Sequence, residues 1–123
     1  MVDSNSGTVR IADDVVALIA GLAATQTQGI SSMSGGVADG IKKRVSGRGN
    51  MRGVQVVVEG SQASIYLRVI VQYGFKINEV CQQLQHGVKE AVEIMTGLEV
   101  TEVNVRVDGV EWKEEKQGSP REK

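Results

Sequence analysis

The chain has 123 residues, enough for a single domain with its own hydrophobic core. Its formal net charge of -1 does not indicate a general attraction to nucleic acid or to an anionic membrane. A single cysteine, Cys81, excludes an internal disulfide, and no apolar run approaches the roughly 20 residues of a membrane span.

The first part of the chain predicts a strand followed by a helix. Residues 1–6 are polar and are expected to form a flexible start before a domain at 7–112. The segment Gly7–Ile11 predicts a short edge strand, and Asp13 to about Thr25 predicts an amphipathic helix. The residues expected to form its apolar face are Ile11, Val15, Leu18, Ile19 and Leu22. Because Ala12 stands where a capping residue would be, the start of this helix should be weakly capped.

A glycine-rich, basic stretch follows a short predicted strand at residues 30–34. A short helix near Ala38–Val45 and then a loop are expected there. We call five residues of this stretch the basic cluster: Lys42, Lys43, Arg44, Arg48 and Arg52. No acidic residue lies between Gly40 and Gly53, so this cluster is a candidate docking site for an acidic protein partner. Nucleic-acid binding is less expected, because no aromatic side chain is interleaved for base stacking.

The second half of the chain predicts a hairpin, a long helix and a last strand. The strands of the hairpin are expected at 53–59 and 62–73, around a turn at Gly60. The apolar stripe of the long helix is predicted to comprise Ile77, Val80, Cys81, Leu84, Val88, Ala91, Val92 and Met95. Gly97 is expected to end this helix. Alternating valines at 103–107 then predict a strand parallel to the second strand of the hairpin.

The end of the chain contains one candidate contact residue and a charged tail. Residues 113–123 are expected to be disordered. Trp112, the only tryptophan, is expected either to cover the sheet as a lid or to anchor a partner, with the lid favoured. It is therefore kept with the basic cluster as a candidate partner-docking residue.

Residues that could carry out chemistry are few. His86 is the only histidine and is expected on the polar face of the long helix, without a positioned partner. Cys81 lies on the apolar stripe, where a buried inert thiol is expected rather than a nucleophile. A phosphate-binding loop of the pattern G-x-x-x-x-G-K-[ST] is absent from the sequence. No catalytic residue, cofactor or metal site is therefore predicted.

Three blocks of the sequence resemble the alkaline shock proteins, bacterial envelope-stress proteins. They are GTVRIADDVVALIAGLAATQTQGISSMSG at 7–35, GVQVVVEGSQASIYLRVIVQYGFKINEV at 53–80, and QHGVKEAVEIMTGLEVTEVNVRVDGV at 85–110. Two positions differ from the family pattern: Ala12 replaces a common serine and Ile30 a common valine. The basic cluster falls in the variable region of the family, so the resemblance assigns it no role.

The resemblance implies a cytoplasmic, non-enzymatic protein of Gram-positive bacteria that binds other proteins, and some family members self-associate. Some family members are held beneath the membrane by a small membrane-anchor partner. Residues 1–7 lack the regions of a signal peptide, which agrees with a cytoplasmic protein that inserts no segment into the membrane.

We therefore predict an α+β two-layer domain, a mixed β-sheet with two main amphipathic helices packed on one face. The predicted function is a scaffold or adaptor in envelope stress response and homeostasis, working as a homo-oligomer with protein partners. The alternatives are a nucleic-acid-binding module that uses the basic cluster, or a regulatory accessory protein of a metabolic enzyme in lipid synthesis. Steep weakening by salt would support the former, and co-purification the latter.

Overall fold

The computed structural model describes residues 7–34 and 49–112 of the chain. Its elements in chain order are α1 (Asp13–Thr25), β1 (Ile30–Met33), β2 (Gly49–Met51), β3 (Val54–Glu59), β4 (Gln62–Gln72), α2 (Ile77–Thr96) and β5 (Glu99–Glu111). Three predictions lie outside the described residues: the flexible start at 1–6, the short helix near 38–45 and the disordered tail at 113–123.

The sheet is built around β4. On one edge, β5 pairs with β4 in parallel from Gln62 to Gln72. On the other edge, β3 pairs antiparallel with residues 62–67 and β1 with residues 69–71, so β1 and β3 lie end to end. The strand β2 pairs with the far side of β3. The sheet is therefore mixed, and the predicted parallel pairing of the last strand is confirmed.

The hairpin of β3 and β4 supplies one face of the core. Gly60 has φ 63° in its turn, a left-handed conformation that glycine adopts without steric cost. The alternating pattern of β4 predicts a core-facing set of six residues: Ala63, Ile65, Leu67, Val69, Val71 and Tyr73. The first five are fully or almost fully buried, whereas Tyr73 lies just beyond the strand and is exposed, so the prediction was wrong for that residue. The intervening residues face the other side of the sheet, which is largely polar. The two helices pack together over the apolar side, α1 mainly against β1–β3 and α2 against β5.

The helix α2 packs largely as its sequence predicts. The centre of its apolar stripe, Val80, Leu84, Val88 and Val92, is buried. Ile77 and Met95, at the two ends of the predicted stripe, are exposed. Gly97 ends the helix in a left-handed conformation, φ 79°, and its N–H donates to the carbonyl of Glu93.

The helix α1 has the predicted bounds but buries a different face. Its buried residues are Val16, Ala17, Ala20 and Ala24. Val15, Leu18 and Leu22, which the apolar pattern places in the core, are 46%, 45% and 54% exposed. The prediction for this face was wrong because small side chains allow α1 to approach the sheet closely, and the large ones are left outside.

The segment before α1 is not a strand. Residues 7–12 have no regular secondary structure, so the strand predicted at Gly7–Ile11 was wrong. Val9 is exposed, whereas Ile11 packs against the core. Ala12 is the N-cap of α1 and makes no side-chain capping hydrogen bond, which confirms the expected weak cap.

Candidate protein-interaction surfaces

Only one residue of the basic cluster lies in the described part of the chain. Arg52 is exposed in the turn between β2 and β3. Lys42, Lys43, Arg44 and Arg48 lie outside the described residues. Their role in partner docking therefore stays a prediction.

The turn that carries Arg52 is fitted tightly into the sheet. Gly53 has φ 75°, and a Cβ atom there would lie 2.6 Å from the carbonyl oxygen of Ser34 and 2.9 Å from that of Arg68. Only glycine suits this position. Ser34 is the last described residue before the segment that carries the rest of the basic cluster. Arg52 therefore lies at the corner of the sheet that Ser34 also occupies.

A charged cluster that the sequence did not predict lies on the polar side of the sheet next to this corner. The Asp108 carboxylate accepts hydrogen bonds from Ser34 Oγ at 2.7 Å and Arg68 Nε at 3.0 Å, and Arg106 Nε lies 2.9 Å from its other oxygen. The hydrogen bond from Ser34, followed by the two guanidinium groups, lowers the pKa of Asp108. These residues come from three chain segments far apart in sequence, so no local motif indicates the cluster.

Trp112 forms an exposed aromatic pair with Tyr73 just beyond the ends of β4 and β5. The two rings are stacked, with centroids 5.0 Å apart and planes inclined by 12°. The Tyr73 N–H donates to the carbonyl of Glu111 at 2.9 Å, which holds the two chain segments side by side. Trp112 remains 69% exposed and Tyr73 65% exposed. The favoured expectation of a lid was therefore wrong, since the indole covers another exposed ring rather than the core.

Of the two residues considered for chemistry, His86 lies on the polar face of α2 as expected, although near a carboxylate, and Cys81 is half-buried rather than buried. The His86 side chain is on the surface of α2, with Nε2 3.7 Å from Glu90 Oε2. Cys81 is half-buried, and burial raises the pKa of its thiol, which disfavours the reactive thiolate. In the part of the chain that the structure describes, no group of His, Cys, Asp or Glu could hold a metal ion.

No helix within residues 7–34 and 49–112 is long and apolar enough to cross a membrane. Three surface features stand out in this part of the chain: the aromatic pair, the charged corner around Asp108 and the exposed apolar residues of α1.

Comparison with known proteins shows a family to which the chain is similar. The model of the alkaline shock protein family, described as having a "cell envelope-related function", matches residues 1–112. The chain is 40% identical over 106 residues to the uncharacterized protein YloU of Bacillus subtilis, covering 85% of this chain and 88% of YloU. It is 30% identical over 110 residues to a stress response regulator gls24 homolog of Streptococcus pyogenes, covering 89% of this chain and 62% of that protein.

A solved structure has a similar fold. The copper form of the MamM CTD D249H variant superposes with a TM-score of 0.50 over 81% of this chain and 100% of that chain. The sequence identity is 12%, so the likeness supports the α+β fold and carries no functional conclusion.

Proposed function

This chain belongs to the alkaline shock protein family of cell envelope-related function, and we propose that it is a non-enzymatic scaffold or adaptor in the envelope stress response. Membership confirms the resemblance that the three sequence blocks indicate. In this proposal the chain acts in the cytoplasm of a Gram-positive bacterium by self-association and by docking other proteins. A membrane-anchor protein among these partners would hold it at the inner face of the membrane.

The observation that carries the proposal is the exposed aromatic pair of Tyr73 and Trp112. Stacking holds the two rings in one orientation before any partner arrives, so little side-chain entropy is left to lose on binding. Tryptophan and tyrosine are also the residues most often found at the energetic centre of protein interfaces. The pair therefore offers a preorganised, largely apolar contact for a protein partner.

The corner around Arg52 supports a second, electrostatic contact. Arg68 and Arg106 share one carboxylate, that of Asp108, so the positive charges outnumber the negative charge there. Ser34, the last described residue before the segment with the remaining basic residues, lies at the same corner. An acidic protein surface would fit this side, with charge acting mainly on the rate of association.

Two observations support a role without catalysis. Relatives carry the description of a stress response regulator, which is a regulatory role. The one thiol has a raised pKa, and the one imidazole lies on an exposed helix face beside a carboxylate that is itself solvent-exposed. Neither environment activates a nucleophile or positions a general base.

Partner capture from the native cell tests the proposal. The full chain, tagged, is isolated under envelope stress and co-isolated proteins are quantified by mass spectrometry. Trp112→Ala should lower the amount of its protein partner about tenfold or more, with an unchanged melting temperature. Tyr66→Ala, an exposed aromatic on the polar face of β4, is the matched control and should retain the partner. Equal capture by wild type and Trp112→Ala would contradict the proposal.

Charge reversal tests the second contact separately. Changing Lys42, Lys43 and Arg44 to Glu should weaken capture while leaving the fold intact. The control reverses the same amount of charge elsewhere, at Arg10, Lys76 and Arg121, and should have little effect on capture. Equal losses from the two triple variants would mean that net charge matters and the basic cluster does not.

A further inference from the structure

The last strand has one edge without a strand partner in the described part of the chain. Within residues 7–34 and 49–112, β5 pairs only with β4, although it is 13 residues long. A long open edge presents unpaired backbone N–H and C=O groups to any strand that can align with it. Proteins normally cover such an edge or pair it with another strand. We therefore ask which groups cover or pair the edge of β5.

Side chains of α2 occupy the first part of this edge. The Glu93 carboxylate accepts the N–H of Val100 at 2.9 Å, and Lys89 Nζ lies 3.4 Å from the carbonyl oxygen of the same residue. Gln85 Nε2 donates to the carbonyl of Val103 at 2.9 Å. The backbone groups of Val100 and Val103 therefore point away from β4, and α2 satisfies three of these four groups.

Among the described residues, no side chain of α2 makes a hydrogen bond to the backbone of the next part of this edge, residues 104–107. The pairing of β5 with β4 is regular from residue 102 to residue 107 and is interrupted by an irregularity at each end of this stretch. Because backbone groups on one edge alternate along a strand, Val105 and Val107 also point outward. The side chains of Val103, Val105 and Val107 face the helices but are only half-buried, as expected for an edge that another strand could complete.

We propose that a second copy of this chain pairs with β5 edge to edge and antiparallel, with the two-fold axis at Asn104. The inference rests on the self-association in the proposed function and names its surface. Val103 of each copy would exchange two backbone hydrogen bonds with Val105 of the other. A carbonyl oxygen has two lone pairs, so Val103 can accept from the second copy and keep its bond from Gln85.

The charges on the polar face favour this register. With the axis at Asn104, Glu102 of one copy lies directly opposite Arg106 of the other, twice per dimer. Allowed registers differ by two residues, because outward groups must meet outward groups. A shift by two residues places Arg106 of one copy opposite Asn104 of the other. A shift by four residues places Arg106 of one copy opposite Arg106 of the other, where the like charges repel. Of these three registers, only the proposed one places Arg106 opposite an acidic residue.

The helix-facing side is also self-complementary in this register. Each half-buried Val103 would lie opposite a half-buried Val105 of the other copy, so the apolar layer would continue from one copy into the next. The result is one continuous sheet across the dimer, with the helices of both copies on the same side. Tyr73 and Trp112 take no part in the pairing of residues 102–106, so the aromatic pair stays separate from this contact.

Cysteine crosslinking tests the position of the axis. In a Cys81→Ala background, the cysteine of Asn104→Cys would lie opposite the same cysteine of the other copy. This is a non-hydrogen-bonded pair, with Cα atoms about 4.5 Å apart. This distance lies within the range of a disulfide, so mild oxidation should link nearly all of the dimer. Tyr66→Cys, on the same face of the neighbouring strand β4, is the control and should remain unlinked.

Charge swapping tests the register. Arg106→Glu and Glu102→Arg should each weaken the homodimer about tenfold or more in sedimentation equilibrium, because both ion pairs become like-charge pairs. An equal mixture of the two variants restores both pairs and should recover the wild-type affinity. Arg68→Glu, which also removes a contact to Asp108 but lies on β4, should dimerise normally.

The outcomes separate this inference from the broader proposal. Crosslinking at position 104 together with recovery in the mixture would support pairing through β5. A dimer that shows neither would overturn this surface and leave self-association standing. A chain that stays monomeric at all concentrations would overturn both the surface and self-association, while partner capture would still test the adaptor role.

Discussion

The helices α1 and α2 pack on the same apolar side of the sheet but bury opposite kinds of side chain. In α2 the large aliphatic residues of the predicted stripe, such as Leu84 and Val88, are buried, and the polar residues face out. In α1 the small residues are buried, and the large Leu18 and Leu22 are exposed.

The difference lies in how each helix approaches the sheet. Alanines such as Ala20 let α1 lie close to the strands, so its contact needs little side-chain volume. The contact of α2 is supplied by branched side chains and by polar bonds to β5 from Gln85, Lys89 and Glu93. We therefore expect α2 to dominate stability and α1 to retain an apolar surface outside the core.

The largest effect is expected in α2. Leu84 is fully buried, so Leu84→Ala should lower the free energy of unfolding by about 2–5 kcal/mol, through lost burial and the cavity that remains. Chemical denaturation with an unchanged m-value would measure this loss. A loss below about 1 kcal/mol would show that the surrounding side chains collapse into the cavity and that α2 contributes less to stability than we expect.

The second-largest effect is expected when a small buried residue of α1 is replaced by a large one. Ala20 is fully buried, so Ala20→Leu should destabilise by about 1–3 kcal/mol because the helix must move away from the sheet. Gly21→Ala is the control: its added Cβ would lie 3.4 Å from Val54 Cγ2, an ordinary contact, and should be tolerated. If Ala20→Leu were also neutral, the close approach of α1 would not limit side-chain size.

A smaller, pH-dependent effect is expected from the bond between α2 and β5. The hydrogen bond from the Val100 N–H lowers the pKa of Glu93 below its value in the unfolded chain. The carboxylate therefore stabilises the fold above that unfolded value, and this contribution is lost as pH falls through the lowered pKa. Glu93→Gln should be less stable than wild type at neutral pH, with the gap narrowing in acid. A gap that stayed constant with pH would contradict this role.

The smallest effect is expected on the exposed side of α1. Leu18→Ala removes a side chain that is almost half exposed, so the cost should stay below about 1 kcal/mol despite the size of the truncation. Thermal unfolding beside Leu84→Ala would make the comparison directly. A loss as large as that of Leu84→Ala would mean that the predicted apolar face of α1 is buried after all.

Most of the fold could be predicted from local patterns. Alternation along β4, the turn at Gly60, the stripe of α2 and the stop at Gly97 each depend on residues close in sequence. The parallel placement of β5 follows from the long connection through α2.

The sequence-based predictions were wrong where the structure depends on contacts between residues far apart in the chain. Two apolar stripes exist on α1, and periodicity cannot say which one the sheet accepts. The composition of Gly7–Ile11 suggests a strand, but a strand also needs a sheet edge to pair with, and residues 7–12 pair with none in the described structure. The pairing of Trp112 with Tyr73 joins residues 39 positions apart, as their numbers show, and the charged corner around Asp108 joins three chain segments. No local pattern indicates either.

We propose that the partners of this protein are proteins rather than nucleic acids. The most direct test of it is a salt titration of the purified full chain against random RNA and duplex DNA, followed by fluorescence anisotropy. We expect only weak non-specific binding, with a dissociation constant of about 10⁻⁴–10⁻⁶ M at physiological salt. Submicromolar binding that falls steeply with added salt, and that is lost when Lys42, Lys43 and Arg44 are changed to Glu, would contradict the claim.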